Sequence, residues 1–241
     1  MFYAARATLL AGPRVVLDGA EGRHAAAARR IGPEETVVLT DGAGLAATAA
    51  VVSAGRDQLV LDVVELREEE RPPLLVTVVQ ALPKGDRGEV AVETLTEVGV
   101  DRVVPWAAQR CVTRWRDERG AKAWERWRSV AREASKQSRR CWWPHVDPLA
   151  STSQVAELLA VATLGLVLHE EATTPLAALP LPGSGTVVLV VGPEGGVDPD
   201  ELAAFGAAGA TSVRLGPTVL RTSTAGTVAA AVVLARSARW R

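Results

Sequence analysis

The chain has 241 residues, enough for one large domain or two small ones. Hydrophobic residues make up 48% of the sequence and charged residues 23%, which excludes a disordered or collagen-like chain. The 27 Lys and Arg residues nearly balance the 28 Asp and Glu residues, so any attraction to nucleic acid must come from local clusters of charge.

The first part of the chain is predicted to be a small, mostly β domain. A charged run at residues 67–71 leads into two prolines, which interrupt regular structure, so we expect a linker between a domain of residues 1–70 and a second of residues 73–241. Asp41 and Gly42 favour a hairpin turn. The predicted strands of the first domain are residues 14–17, 36–40, 45–52 and 58–65.

In the second domain, apolar strands alternate with helical stretches, a pattern typical of an α/β fold with a parallel sheet. Asp198 and Glu201 match a capping box and predict that a helix begins after Asp198. The last helix is predicted over residues 224–238. The predicted strands are residues 74–79, 102–104, 164–168, 187–191 and 212–215.

The two cysteines are too few for a disulfide scaffold in a chain of this length, and the three histidines lack the spacing of a zinc site. No apolar run approaches the ~18 residues that a membrane helix needs. The opening MFYAARATLL shows no cleavage signal for secretion. We therefore expect a cytoplasmic protein that binds no metal and enters no membrane.

Positive charge is concentrated in residues 101–140, which contain twelve Lys and Arg residues and five Asp and Glu residues, a net charge of +7. Tryptophans lie among these cations, as a surface for phosphates and unstacked bases would require. The alternative is a solvated helix face whose tryptophans pack on the sheet. The charge pattern leaves both interpretations open.

Two loops at predicted strand ends are candidates for a ligand site. The sequence GPEGG at residues 192–196 follows a buried strand, and glycines there let a ligand approach the backbone closely. The loop at residues 215–226 also links a strand to a helix, and it carries an arginine and hydroxyl side chains that can orient a polar ligand.

These motifs, taken in order, resemble the RsmE family, the 16S ribosomal RNA uracil-N3 methyltransferases of the SPOUT class. The resemblance covers nearly the whole chain and departs from the family pattern at Ser223, where a glutamate is common, and at Arg139. The segments that carry it are His24 with residues 29–32, KGDR at 84–87, TEVGV at 96–100, residues 133–140, GPEGG at 192–196 and LGPTVLRT at 215–222.

The resemblance implies an N-terminal PUA-like β-barrel that binds RNA and a C-terminal SPOUT domain with a parallel sheet and a trefoil knot. It implies a homodimer that uses S-adenosylmethionine to methylate N3 of a uridine in 16S ribosomal RNA of the small ribosomal subunit. The implied cofactor-binding residues are Leu168, His169, Gly192, Pro193, Glu194, Gly195, Gly196, Leu215, Gly216, Val219, Leu220, Thr222, Thr224 and Ala225.

The resemblance and the basic band together suggest which residues contact RNA. All are polar, and most are positively charged, as phosphate contacts require. They are His24, Arg29, Arg30, Lys84, Arg87, Arg110, Gln137 and Arg140.

Catalysis by such a protein must position a methyl group in line with N3 and favour loss of the N3 proton. We expect Arg221 to stabilise the negative charge that develops on the uracil. Glu97 is a second candidate catalytic residue, and the favoured alternative for it is a helix-face carboxylate in a structural hydrogen bond. Two other functions stay open, a non-catalytic RNA-binding protein and a SPOUT methyltransferase that modifies transfer RNA or large-subunit RNA.

Overall fold

A computed structural model describes residues 1–240 of the chain. It divides into two compact units. Unit 1 consists of Met1–Arg71 together with Ser135–Trp143, and unit 2 consists of Pro72–Ala134 together with the chain from Pro144 onward. The predicted division into residues 1–70 and 73–241 does not include this return of the chain to unit 1.

Unit 1 is a five-stranded sheet that curls into a half-barrel, as far as the described residues show. Its strand order is β1-β3-β4-β5-β2, with β1 parallel to β3 and the other neighbours antiparallel. Leu39, Leu59 and Leu61 are fully buried in its core. Its elements are β1 (Phe2–Tyr3), α1 (Arg6–Leu10), β2 (Arg14–Leu17), α2 (Gly19–Arg23) with a π-helical turn at His24–Ala28, β3 (Thr36–Thr40), β4 (Leu45–Ala54) and β5 (Leu59–Glu68).

The returning segment Ser135–Trp143 packs on the turn between β3 and β4. Gly44 N donates to the carbonyl oxygen of Cys141 at 3.1 Å, and Trp143 N donates to that of Gly42 at 2.9 Å. Gly42 and Gly44 have φ angles of 72° and 99°, and a Cβ atom on either would lie 2.6 Å from Trp143 or Trp142. Both positions therefore require glycine.

Unit 2 contains a six-stranded parallel sheet in the described residues, with the order β11-β9-β10-β6-β7-β8. Its elements are β6 (Leu74–Ala81), α3 (Arg87–Val98), β7 (Arg102–Trp106), α4 (Asp117–Gln137, whose last three residues belong to unit 1), β8 (His145–Val146), α5 (Thr152–Ala160), β9 (Leu164–Leu168), β10 (Gly185–Val191), α6 (Pro199–Ala207), β11 (Thr211–Val213) and α7 (Thr222–Arg236), with 3-10 turns at Leu176–Ala178 and Ala238–Trp240.

The central strands of unit 2 are apolar on both faces. Residues 187–190 of β10 are all fully buried, because helices cover both sides of a parallel sheet. The carboxyl ends of β9, β10 and β11 therefore lie along one edge, where open α/β sheets bind ligands. The strand order does not trace the trefoil knot, which stays a prediction.

Two local predictions for unit 2 can be compared with the structure. The capping box is confirmed: the Asp198 side chain accepts from Asp200 N at 3.1 Å, and the Glu201 side chain accepts from Asp198 N at 3.3 Å. The last helix begins at Thr222 rather than at residue 224, because Arg221 already adopts the extended backbone of an N-cap.

The tryptophans near α4 pack within unit 2. Trp127 is buried, and its ring meets that of Trp115 edge-on at 4.9 Å. Trp124 Nε1 donates to the carbonyl oxygen of Val146 at 3.3 Å. For these three side chains the packing interpretation is confirmed.

No helix within residues 1–240 is long and apolar enough to cross a membrane.

Candidate functional site

A cavity of about 370 Å³ lies at the carboxyl edge of the unit 2 sheet. Three stretches of chain surround it. The first follows β9 at residues 168–170, the second follows β10 at residues 191–197, and the third runs from residue 214 to the start of α7. The structure thus places both loops that the sequence singled out around a single pocket.

The first of these loops, which we call the glycine turn (residues 192–196), is closely packed. Gly196 N donates to the carbonyl oxygen of Pro193 at 2.9 Å, and Gly196 has a φ angle of 76°. A Cβ atom on Gly192 would lie 2.6 Å from Cγ2 of Val197. Because the chain is this tight, the turn presents backbone rather than side chains to the pocket at Gly192 and Gly196.

The helix after the glycine turn is anchored to two other segments of unit 2. Glu201 is buried, and its Oε1 atom accepts hydrogen bonds from Thr152 Oγ1 at 2.8 Å and from Gln109 N at 2.9 Å. Thr152 Oγ1 also accepts from Trp106 Nε1 at 3.2 Å. The capping carboxylate of α6 therefore fixes the start of the helix against β7 and α5.

The second loop, which we call the arginine loop (residues 215–221), leads into α7. Arg221 caps the helix through its backbone, and its exposed side chain lines the pocket. Its guanidinium forms no hydrogen bond with any residue that the structure describes. A cation in this state is available to a ligand or substrate.

A buried glutamine that sequence reasoning missed holds the first turn of α7. Gln80 is fully buried at the end of β6, and its Nε2 atom donates to the backbone carbonyl of Thr222 at 3.2 Å. Its Oε1 atom has no partner among the described residues. The signal that could have found it is a lone amide in a mostly apolar strand.

Most of the predicted cofactor-binding residues line this pocket. Gly195 and Thr224 do not: the Gly195 carbonyl faces Arg110, and Thr224 Oγ1 is bonded to the carbonyl of Arg221 at 3.2 Å. Residues that the sequence did not single out complete the lining. They are Glu170, Val191, Val197, Arg214, Pro217 and Thr218, each adjacent to a predicted residue.

The structure does not bring Glu97 to the pocket. Glu97 is exposed in the last turn of α3, which runs from the carboxyl edge of the sheet back to the amino edge, where β7 begins. The pocket lies at the carboxyl edge. The catalytic role of Glu97 therefore stays a prediction.

Comparison with known proteins identifies the family to which the chain belongs. A family model described as an RNA methyltransferase domain matches residues 70–234, and one described as an RNA methyltransferase PUA domain matches residues 17–64. Ribosomal RNA small subunit methyltransferase E of Mycobacterium bovis is 50% identical over 235 residues, which cover 95% of this chain and 89% of that protein. The chain belongs to the RsmE family.

More distant relatives support the same family. The protein of the same name from Bacillus subtilis is 29% identical over 88% of this chain and 86% of its own length. The crystal structure of a ribosomal RNA small subunit methyltransferase E from Neisseria gonorrhoeae, bound to S-adenosyl methionine, is 29% identical and has a TM-score of 0.85 over 97% of this chain and 96% of that chain. The predicted fold class, an α/β unit with a parallel sheet together with a PUA-like unit, is confirmed.

The RNA-binding residues predicted from the RsmE resemblance fall into two groups. The first group lies in unit 1, and four of its five side chains are exposed: His24, Arg29, Arg30 and Gln137. The fifth, Arg140, is half-buried, and its Nε atom donates to the carbonyl oxygen of Trp142 at 2.9 Å.

The second group lies in unit 2. Lys84 and Arg87 are exposed, and Lys84 N donates to Glu194 Oε1 of the glycine turn at 3.3 Å. The Arg110 guanidinium instead contacts protein groups.

The two cysteines do not have the character of nucleophiles. Burial raises the pKa of the Cys111 thiol and, in unit 1, that of the Cys141 thiol. Both therefore stay protonated near neutral pH, whereas a reactive cysteine is a thiolate.

Within residues 1–240 no group of three or more His, Cys, Asp or Glu side chains is placed to hold a metal ion.

Proposed function

We propose that the protein transfers the methyl group of S-adenosylmethionine to N3 of a uridine in 16S ribosomal RNA of the small ribosomal subunit. The observation that carries this proposal is the pocket between the glycine turn and the arginine loop, in a chain that belongs to the RsmE family. A family relative of similar fold was crystallised with S-adenosyl methionine. A protein with this substrate would work in the cytoplasm.

The residues around the pocket suit S-adenosylmethionine. The volume of about 370 Å³ is within the range of roughly 300–1,000 Å³ found for small-molecule sites. Glu170 and Glu194 offer carboxylates to the sulfonium and ammonium charges of this ligand, and Arg214 offers a guanidinium to its carboxylate. Apolar side chains at Leu168 and Val191 offer a surface for the adenine ring.

When bound, S-adenosylmethionine supplies an electrophilic methyl group. The protein must then place the uracil N3 in line with that group and stabilise the charge left when N3 loses its proton. Arg221 lines the pocket, as Arg214 does, and its guanidinium has no partner among the described residues. It stands at the start of α7 and is our candidate for stabilising this charge. N3 lies on the Watson–Crick edge, so the target base has to be unpaired or extruded before it can enter.

We expect RNA to be bound mainly through phosphates. Unit 1 offers the exposed side chains of His24, Arg29, Arg30 and Gln137 for such contacts. Unit 2, taken by itself, offers those of Lys84 and Arg87. Phosphate contacts position an RNA without reading its sequence, and they weaken as salt rises.

We also propose that the protein is a homodimer. Helices α3 and α7 pack together through Thr94 and Thr227, whose Oγ1 atoms are 2.7 Å apart. Their outer surfaces expose Val90 and Val228, and the arginine loop exposes Val219. Such a group of exposed apolar side chains is typical of an interface with a second copy. Sedimentation of the two proteins tests this. We expect wild-type protein to sediment as a dimer and the Val228→Glu variant to dissociate into monomers at a higher protein concentration.

The function is tested by transfer of labelled methyl from S-adenosylmethionine to small ribosomal subunits that lack the modification, followed by nucleoside analysis. We expect 3-methyluridine in the 16S RNA. Methylation of transfer RNA or large-subunit RNA instead would move the protein to another substrate. Well-folded protein that binds RNA but not the cofactor would favour the non-catalytic RNA-binding function.

A further inference from the structure

Arg110 contacts the glycine turn at Gly195, the one residue of the turn that does not line the pocket. Its Nη1 atom donates to the carbonyl oxygen of Gly195 at 3.3 Å. Its Nη2 and Nε atoms approach the same Oδ2 atom of Asp198 at 3.1 and 3.2 Å. All three nitrogen atoms of the guanidinium group are therefore directed at the turn and at the helix cap behind it.

The backbone of Arg110 lies as close to the turn as its side chain. A Cβ atom on Gly195 would be 3.2 Å from the Cβ of Arg110 and 3.4 Å from its carbonyl oxygen. The preceding residue, Gln109, donates its N–H to Glu201. Two consecutive residues thus bind both carboxylates of the α6 capping box, and only Val197 separates this box from the glycine turn.

Asp198 links the two parts of this arrangement. Its Oδ1 atom accepts from Asp200 N and caps the helix, while its Oδ2 atom accepts from Arg110. The Asp198 side chain is 16% exposed and that of Arg110 is 45% exposed. Because solvent reaches the arginine, the ion pair adds little to the stability of the fold, and its main effect is on the orientation of the groups that it joins.

We infer that Arg110 is a positioning residue that fixes the glycine turn for cofactor binding, rather than an RNA contact. This inference rests on the proposed function, because it assumes that the pocket binds S-adenosylmethionine. The guanidinium already binds Asp198 and Gly195, so an RNA phosphate would have to compete with these two partners for it. With Arg110 in place, the Gly195 carbonyl is held outward and the backbone at Gly192 and Gly196 keeps facing the pocket.

The test is the affinity for S-adenosylmethionine, measured by titration calorimetry in the absence of RNA. Arg110→Ala should raise the Kd about ten-fold, the effect of losing charge-assisted hydrogen bonds. Asp198→Asn should give a similar increase, because it keeps a capping oxygen but loses the negative charge. The double variant should bind no worse than the weaker single variant, since the two residues act as one pair.

Two controls separate positioning from folding. Arg110→Lys keeps the charge without the planar fork and should restore part of the affinity. Arg116→Ala removes an exposed arginine of the same segment and should leave the cofactor Kd unchanged. The melting temperature without cofactor should change little in every variant, whereas the increase that cofactor produces should shrink only for the Arg110 and Asp198 variants. In turnover, the KM for S-adenosylmethionine should rise while kcat at saturation is retained.

Two results would overturn the inference, and they can be told apart. If wild-type protein binds the cofactor and Arg110→Ala binds it equally well but loses affinity for small subunits with a reduced salt dependence, Arg110 is an RNA contact. If wild-type protein does not bind the cofactor at all, the proposed function fails and this inference fails with it.

Discussion

The two loops that form the pocket are held in very different ways. The glycine turn is fixed by its own Gly196–Pro193 hydrogen bond, by the Val197 side chain against Gly192, and by Arg110 from outside. Residues 215–220 of the arginine loop form no hydrogen bond with any described residue, and Val219 is 80% exposed. One wall of the pocket is preset, and the other is free to adapt to a ligand.

This difference suits the two tasks of the site. A preset backbone loses little entropy when a small molecule binds, so it favours affinity for the cofactor. An adaptable loop can close over two ligands in turn and exclude water from the reacting groups. We therefore expect substitutions in the glycine turn to weaken cofactor binding, and the substitution of Arg221 to slow the reaction.

Arg221→Ala should have the largest effect of all. Removal of one group that stabilises charge in a transition state typically costs about 100- to 1,000-fold in kcat. The affinity for S-adenosylmethionine should change far less, because the preset wall stays intact. Single-turnover methylation of small subunits, with cofactor affinity measured in parallel, checks both statements. Full turnover by a folded variant would remove Arg221 from the mechanism.

Gly192→Ala should weaken cofactor binding about ten-fold or more. The new methyl group would lie 2.6 Å from Cγ2 of Val197, and overpacking of this kind costs about 1–3 kcal/mol. The double variant Gly192→Ala/Val197→Ala removes the clashing methyl and should bind better than Gly192→Ala alone. Equal affinity of the two variants would mean that the turn is less rigid than its contacts indicate.

Cys111, the residue after Arg110, reports on the rigidity of the segment behind the glycine turn. Burial raises the pKa of its thiol above the ordinary value of 9.0, so little thiolate exists at pH 8. We expect alkylation by iodoacetamide to be at least about ten-fold slower than in the unfolded chain, and to accelerate as the pH rises. Mass spectrometry of digested protein gives the rate. Rapid alkylation at pH 8 would show that this segment opens readily.

The smallest effect is expected at Gly206, a control for replacing glycine by alanine. Gly206 is exposed in α6, and a Cβ atom there would meet nothing within 4 Å. Gly206→Ala should stabilise the fold by about 0.5 kcal/mol, since alanine restricts the unfolded chain and favours the helix. Thermal unfolding checks this value, and a destabilised variant would contradict the open surroundings.

The sequence predicted those parts of the fold that depend on neighbouring residues. The strands at residues 14–17, 36–40 and 164–168 have the observed bounds, because their apolar runs are bordered by turn residues. The capping box of Asp198 and Glu201 could also be predicted, because its two residues lie three positions apart in the sequence. The hairpin at Gly42 is confirmed by the antiparallel pairing of β3 and β4.

Features that depend on distant partners could not be predicted. A charge count treats Arg110 as a cation available to RNA, because the count cannot show that Asp198 lies beside it. Glu97 fits a family motif, yet the direction of α3 takes it away from the pocket. The sequence marks Gln80 only as an amide in a strand, and it cannot show that the side chain binds the carbonyl of Thr222. For Arg110 and Gln80 the deciding contact joins residues that are far apart in sequence.

The return of Ser135–Trp143 to unit 1 sets an order of events during protein synthesis. Strands β1 to β5 leave the ribosome while the segment that covers the turn between β3 and β4 has not yet been made. About 70 further residues must be added first, which takes several seconds at roughly 5–20 residues per second. The N-terminal half-barrel can therefore reach its final form only after much of the next unit has emerged, and a fragment that ends at Arg71 is an unfinished intermediate.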